Sequence, residues 1–479
     1  MSKLTVLRDD IKNGNISVKK VLDDIYLEIE KKDKIVNSFL SLTKEYSYKR
    51  AESLQNKLNN GEDIGILGGI PIAIKDNIAM KDVKLTCGSR MLENYTCIYD
   101  ATVVKKLEQA GAVIIGKTNL DEFAMGSSTE NSAFKITKNP YDISRVPGGS
   151  SGGSAACLAS DFAYASIGSD TGGSIRQPAS YCNLFGLKPS YGLVSRYGLV
   201  AYASSFDQIG PFTKSTEDMA LMLNVLTGKD IKDATSIDSN CDYTKYLIND
   251  ITNLKIGVPY NFLSNLNNDI KESFCKNIEL LKSLNANIID INLEYIKYSL
   301  STYYIISTAE ATSNLARFDG IRYGYRSENY NNLDEIYIKS RSEGFGNEVK
   351  KRIMLGTYVL SSGYYDAYYK KANMVRNLIK NEFNEIFKSV DIIAMPTAPS
   401  IAFKIGEKTS NPIDMYLQDI FTVPVNVAKL PAISVPGGFV NNMPVGLQFI
   451  ADYLREDKLI NISYTYEKNT NYYSIKPNF

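Results

Sequence analysis

Two glycine-rich knots carry serines whose spacing suits acyl transfer: Gly-Gly-Ser-Ser-Gly-Gly-Ser over 148–154 and Gly-Ser-Asp-Thr-Gly-Gly-Ser over 168–174. They set Ser150, Ser151, Ser154, Ser169 and Ser174 among glycines, which permit positive φ and let backbone amides converge on one point. The residues after each knot, 155–160 and 175–181, read as helices, whose N-termini would add partial positive charge. A phosphate or a developing oxyanion suits such a place, and hydroxyls beside a ring of amides favour acyl transfer. A Gly-Ser run by itself reads as a flexible linker. Here the apolar, regularly patterned sequence on either side opposes that.

The chain has no histidine. A Ser-His-Asp triad, a Cys-His pair and a histidine-ligated metal are therefore excluded. The base for a serine nucleophile must be a lysine, a carboxylate or another hydroxyl. Lys75 directly follows the apolar run Ile-Pro-Ile-Ala-Ile at 70–74. Burial there would disfavour its charged form and make it a neutral base, although a lysine at a strand end can also simply reach solvent.

The elements that must position these groups follow from hydrophobic periodicity. Val21, Leu22, Ile25 and Ile29, then Leu54 and Leu58, recur at helical spacing, predicting surface helices over 17–58 with Ser17 as an N-cap. Strands are expected over 70–74, 112–115, 162–167, 255–258 and 287–291. Helices are expected over 101–110, 216–226 with Thr216 as N-cap, and 269–284, the last completing a βαβ-like unit. The polar run 230–253 reads as a surface connection. Residues 111–118, Gly-Ala-Val-Ile-Ile-Gly-Lys-Thr, match the phosphate-loop pattern. The intervening Ala-Val-Ile-Ile is itself strand sequence, so it is not free to wrap phosphates.

Composition bounds the rest. The chain has 479 residues, 44% of them hydrophobic, enough for a substantial core. Lys and Arg number 54 against 53 Asp and Glu, a net charge of +1, so no global field exists to hold nucleic acid. The cysteines Cys87, Cys97, Cys157, Cys182, Cys241 and Cys275 form no C-x-x-C pair, which fits a reduced cytoplasm. Arg8, Asp9 and Asp10 interrupt any signal-peptide core. The uncharged run 430–451 carries prolines, glycines and asparagines, and reads as strand and turn rather than a membrane helix.

The stretch 148–179 resembles the signature of the amidase signature family at nearly every position, as do Lys-Asp-Asn-Ile at 75–78 and Met-Pro-Thr at 395–397. The segments 303–306, 310–320, 345–369 and 419–436 extend the resemblance along essentially the whole chain, toward the glutaminase subunits of tRNA-dependent amidotransferases. It implies an α/β amidase signature fold with a large mixed central sheet flanked by helices on both faces. One domain over 1–479 is expected, with 1–60 a helical segment packed on it. It further implies a Ser-Ser-Lys relay: Ser174 as nucleophile, Ser150 as the intermediate and Lys75 as base, with a cis Gly149–Ser150 peptide. The amides of Thr171, Gly172, Gly173 and Ser174 would form the oxyanion hole, with Asp170 and Arg176 bracing the loop and Ser151 and Ser154 as turn and helix-start hydroxyls.

By the same resemblance, Arg352 would bind the glutamine α-carboxylate and Asp419 its α-ammonium, with Tyr303 or Tyr304 at the pocket. From the residues alone, Arg352 could equally sit on a solvated helix face and Asp419 could be an N-cap. The implied partners are B and C subunits in a heterotrimer, with glutamine as substrate and misacylated glutamyl- or aspartyl-tRNA held mainly by the partner. This chain is expected to bind no metal and no cofactor of its own, ATP and Mg being used mainly on the partner. The alternative is a free-standing amidase acting on another small amide. A noncatalytic scaffold or a nucleotide-binding module built on 111–118 is a third reading.

Overall fold

The computed structural model describes residues 3–263, 266–408 and 412–478. Its strands in chain order are β1 Phe39–Leu42, β2 Pro71–Lys75, β3 Val113–Thr118, β4 Ala165–Asp170, β5 Phe185–Lys188, β6 Gln208–Thr213, β7 Lys255–Val258, β8 Asn287–Asp290, β9 Ile392–Pro396, β10 Ala432–Val440 and β11 Met443–Ala451. They form one sheet of 11 strands in the order β1-β3-β2-β4-β6-β5-β10-β11-β9-β7-β8. The sheet is mixed: β2 runs parallel to β3 and β4, and β7 runs parallel to β8 and β9, whereas the other pairings are antiparallel.

Every residue of β2, β3, β4, β6 and β9 is buried. Side chains alternate between the faces of a strand, so uninterrupted burial means that both faces are covered. This is the α/β architecture expected, with helices on both sides of a large mixed sheet.

Several local expectations are met for the expected reason. Helix Val18–Val36 is capped by Ser17, whose Oγ accepts from the Lys20 amide at 3.1 Å. β7, helix Asn268–Ser283 and β8 make a parallel βαβ unit. The 430–451 run is the β10–β11 hairpin, turning at Asn441 and Asn442 with φ of 50° and 62°, a pair of left-handed residues that matches strand twist. Among the described residues no helix is long and apolar enough to cross a membrane.

Other boundaries differ. The cap of helix Thr216–Leu226 is Ser215, not Thr216: Ser215 is extended (φ −151°, ψ 160°) and its Oγ accepts from Asp218. The N-terminal segment also supplies β1, which adds to the sheet edge against β3. The polar run 230–253 is not wholly superficial, since Asp233 and Tyr243 are buried.

In the phosphate-loop lookalike, Val113 to Thr118 form buried β3, and Lys117 Nζ lies 3.0 Å from Asp76 Oδ1 and donates to Ile78 O at 2.7 Å. The lysine is consumed by an internal ion pair. Both serine knots are more regular than their glycines suggest. Helix Gly152–Ala159 begins inside the first, and β4 runs into the second. Only Gly148 and Gly173 take positive φ there. Gly153 is required for another reason, because a Cβ would lie 2.4 Å from Asn119 O.

Candidate active site

β2 delivers Lys75 to the end of the sheet where both knots meet. Lys75 is fully buried, and its Nζ lies 2.8 Å from Ser150 Oγ, 2.8 Å from Ser151 Oγ and 2.9 Å from Ser169 Oγ. Burial pulls its pKa down from 10.5 to about 7, against the attraction of Asp121, Asp170, Asp207 and Cys87. Ser151 Oγ donates to Ser169 O at 3.0 Å, and Ser169 Oγ accepts from Asn77 Nδ2 at 3.0 Å. Three hydroxyls thus surround Nζ: a charged amine can donate to each of them, and a neutral one has two N–H groups and a lone pair to share among them.

Ser151 is thus more than the turn hydroxyl expected, because its position at the start of helix Gly152–Ala159 turns it onto Lys75. Ser169, to which its spacing assigns no separate role, joins it from β4. Ser154 lies in the first turn of that helix, but its hydroxyl does not serve the helix start as expected: it donates to Ile167 O at 3.0 Å and bonds the Thr118 hydroxyl at 2.7 Å, tying the helix to β4 and β3.

The Gly149–Ser150 peptide is cis. Ser150 and Lys75 are sealed at 0% exposure while Ser174 keeps 8%, so a ligand arriving from outside meets Ser174 first. The Ser151 amide donates to Ser174 O at 3.2 Å, joining the two knots. Among the described residues, the amides of Thr171, Gly172 and Ser174 have no protein acceptor, which leaves them available to an oxyanion. Gly173 does not share that role: its amide donates to Asp170 Oδ1 at 2.8 Å, so its positive φ aims the N–H at the brace instead.

The brace is a buried ion pair. Arg176 Nε and Nη2 donate to Asp170 at 3.1 and 3.0 Å, and Nη1 donates to Thr422 O and Gln448 Oε1. Burial alone would raise the Asp170 pKa, but the adjacent guanidinium holds it at about 2. The Thr171 hydroxyl is tied separately, to Asp207 Oδ1 at 2.7 Å.

Arg352 projects from the buried side of helix Asn347–Leu360 and is 4% exposed, whereas its neighbour Lys351 faces solvent. The solvated-face reading therefore fails for Arg352. Its Nε donates to Glu348 Oε1 at 2.8 Å and its Nη1 to the Tyr202 hydroxyl at 2.7 Å. The Tyr202, Tyr304 and Tyr416 rings surround the guanidinium at 5.6, 5.6 and 6.0 Å. A cavity of about 270 Å³ opens beside it, bounded by Gly126, Ser128, Asn131, Glu348 and Tyr416.

Asp419 ends the short turn Leu417–Asp419 and is 6% exposed. It is not the cap of the following helix, a position Thr422 occupies. Burial raises its pKa to about 7, opposed by a hydrogen bond from Ser127 Oγ at 2.5 Å and by Arg352. Thr422 Oγ1 lies 2.7 Å from Gly172 O and 3.2 Å from Asp419 O, linking this turn to the nucleophile loop. Ser127, Thr422 and Tyr202 carry no signal in the sequence, since each works through a partner far along the chain.

The Tyr303 and Tyr304 rings meet edge to face with centroids 5.1 Å apart but have different further partners. Tyr303 packs on the nucleophile loop, where a Cβ at Gly172 would lie 2.7 Å from its Cζ. Tyr304 stacks on Tyr416 with centroids 4.0 Å apart and lies under Arg352.

The chain is similar to known proteins over nearly its whole length. A family model described as Amidase matches residues 20–460. The A subunit of the glutamyl-tRNA(Gln) amidotransferase of Thermoanaerobacter pseudethanolicus is 54% identical over 473 residues, covering 98% of this chain and 96% of its own. The corresponding protein of Bacillus licheniformis is 53% identical over 477 residues, with 99% and 98% covered. The crystal structure of the A subunit of the glutamyl-tRNA(Gln) amidotransferase from Thermotoga maritima superposes with a TM-score of 0.79 at 43% identity, covering 95% of each chain. With a match running from the second helix to the last strand and beyond, this chain belongs to the Amidase family.

Proposed function

We propose that this chain is the glutamine-hydrolysing A subunit of a glutamyl-tRNA(Gln) amidotransferase, supplying ammonia to a partner that amidates misacylated tRNA. The observation that carries the reading is a buried lysine, its pKa lowered to about 7, 2.8 Å from Ser150 Oγ, beside a nucleophile loop that Thr422 ties to the turn carrying Asp419, whose carboxyl group feels the charge of Arg352 in the wall of the 270 Å³ cavity. Glutamine has the matching charges, an α-carboxylate and an α-ammonium, at fixed distance from its side-chain amide. Identity of 54% over nearly the full length of a relative with that name supports this role over that of a free-standing amidase.

In this mechanism Ser174 Oγ attacks the side-chain amide carbon while its proton passes to Ser150, whose own proton passes to Lys75. The resulting oxyanion lies against the amides of Thr171, Gly172 and Ser174, each donor contributing about 3 kcal/mol in comparable sites. The proton returns through Ser150 to the nitrogen, the C–N bond breaks and ammonia leaves. Water then attacks the γ-glutamyl ester by the same relay, releasing glutamate and restoring Ser174. The assembly is a heterotrimer with B and C subunits, in which ATP and Mg serve the partner.

The test is ammonia release and transamidation by the complex carrying Ser174→Ala. Glutamine-driven activity should vanish while synthesis from added ammonia persists. Unchanged glutamine hydrolysis would mean that another residue is the nucleophile.

A further inference from the structure

Tyr202 lies in the connection between β5 and β6 and is 1% exposed, so it does not itself reach the 270 Å³ cavity. Its hydroxyl accepts from Arg352 Nη1 at 2.7 Å and lies 3.2 Å from Ser307 Oγ, to which it donates. Its backbone amide donates to Asp207 Oδ2 at 2.9 Å, and the other oxygen of Asp207 accepts the Thr171 hydroxyl at 2.7 Å. A continuous hydrogen-bonded path therefore runs from the nucleophile loop, at Thr171, through Asp207 and Tyr202 to the guanidinium of Arg352. All four residues are buried.

A guanidinium has five N–H groups in a rigid plane. Here Nε is spent on Glu348 and one N–H of Nη1 on Tyr202. Two bonds at separate nitrogens fix both the tilt and the rotation of the plane, and three N–H groups remain for a ligand. Glu348 cannot supply this constraint alone, because a single bond to Nε leaves rotation about its own axis. The Tyr202 ring packs in the central apolar cluster, so the hydroxyl that anchors Arg352 is itself held rigidly.

We propose that Tyr202 is a positioning residue for the substrate carboxylate: its hydroxyl orients Arg352 relative to the oxyanion loop and so sets the selectivity for an amide bearing an α-carboxylate. The inference rests on the glutamine reading above and adds to it the origin of discrimination against uncharged amides.

The test uses Tyr202→Phe in the assembled complex, which keeps the ring and removes only the hydroxyl. Two amides are compared: glutamine, and 4-aminobutyramide, which is glutamine without its α-carboxylate. Loss of one hydrogen bond to a charged group should raise the glutamine KM about ten-fold, with kcat changed by less than about two-fold. Turnover of 4-aminobutyramide should be the same in variant and wild type. An unchanged glutamine KM would overturn the proposal. An equal loss on both amides would overturn it too, since that is the mark of a role in packing the loop. A wild-type complex that uses both amides equally well would refute the glutamine reading itself and this inference with it. A wild type selective for glutamine whose Tyr202→Phe variant keeps its KM would refute the role of Tyr202 alone.

Discussion

The pH dependence of glutamine hydrolysis tests the relay most directly. Lys75 must be neutral to accept a proton, and burial lowers its pKa from 10.5 to about 7. Holding the charged form at that disadvantage corresponds to about 5 kcal/mol. At pH 7 about half of the enzyme then carries a neutral Lys75, whereas an ordinary lysine would be neutral in only about 0.03% of molecules. Protonation below pH 7 removes the base, so kcat should fall as pH falls. The expected profile is level above about pH 8 and loses about ten-fold per pH unit below about pH 6. Asp419, raised to about 7, titrates in the same window, but a bound ammonium group keeps it ionised. Its protonation should therefore steepen the acid limb of kcat/KM and leave kcat unaffected. The assay is initial-rate ammonia release by the complex from pH 5.5 to 8.5, at saturating and at limiting glutamine. A level kcat across this range, or one still rising steeply at its upper end, would refute Lys75 as a neutral base.

Two substitutions test the supports of the nucleophile loop. Gly172→Ala would put a methyl group 2.7 Å from Tyr303 Cζ and 2.8 Å from its hydroxyl, so loop or ring must move. A loss in kcat of at least about ten-fold is expected, while Gly363→Ala, at a position with nothing within 4 Å, should be neutral; equal rates for the two would mean that the Tyr303 contact does not hold the loop. Asp170→Asn leaves the buried Arg176 guanidinium without its counter-charge and should cost about 3–5 kcal/mol of stability. Denaturant unfolding measures this, and an unchanged midpoint would show that the neighbouring carbonyls and amides suffice to hold Arg176.

The features legible in the sequence are local ones. The absence of histidine removes the usual base, and an apolar pentapeptide ending in Lys75 marks a lysine about to be buried; both depend on residue type and near neighbours. The strand character of 112–115 is enough to disqualify the phosphate-loop lookalike, and alternating or helical periodicity locates β7, β8 and the helix between them. Family resemblance then adds roles for Ser150, Ser174, Arg352 and Asp419 that spacing alone leaves open. Tertiary structure decides which polar groups are already occupied. It turns Ser151 and Ser169 onto Lys75, gives the Gly173 amide to Asp170 and so removes it from the oxyanion hole, gives Tyr303 and Tyr304 different partners, and sets the Tyr202 hydroxyl on Arg352. Tyr202 and Arg352 are 150 positions apart, and Ser127 and Asp419 are 292 apart. Such pairs meet only because the sheet order brings distant segments together, and a hydrogen bond's direction depends on that juxtaposition rather than on any pattern of neighbouring residues.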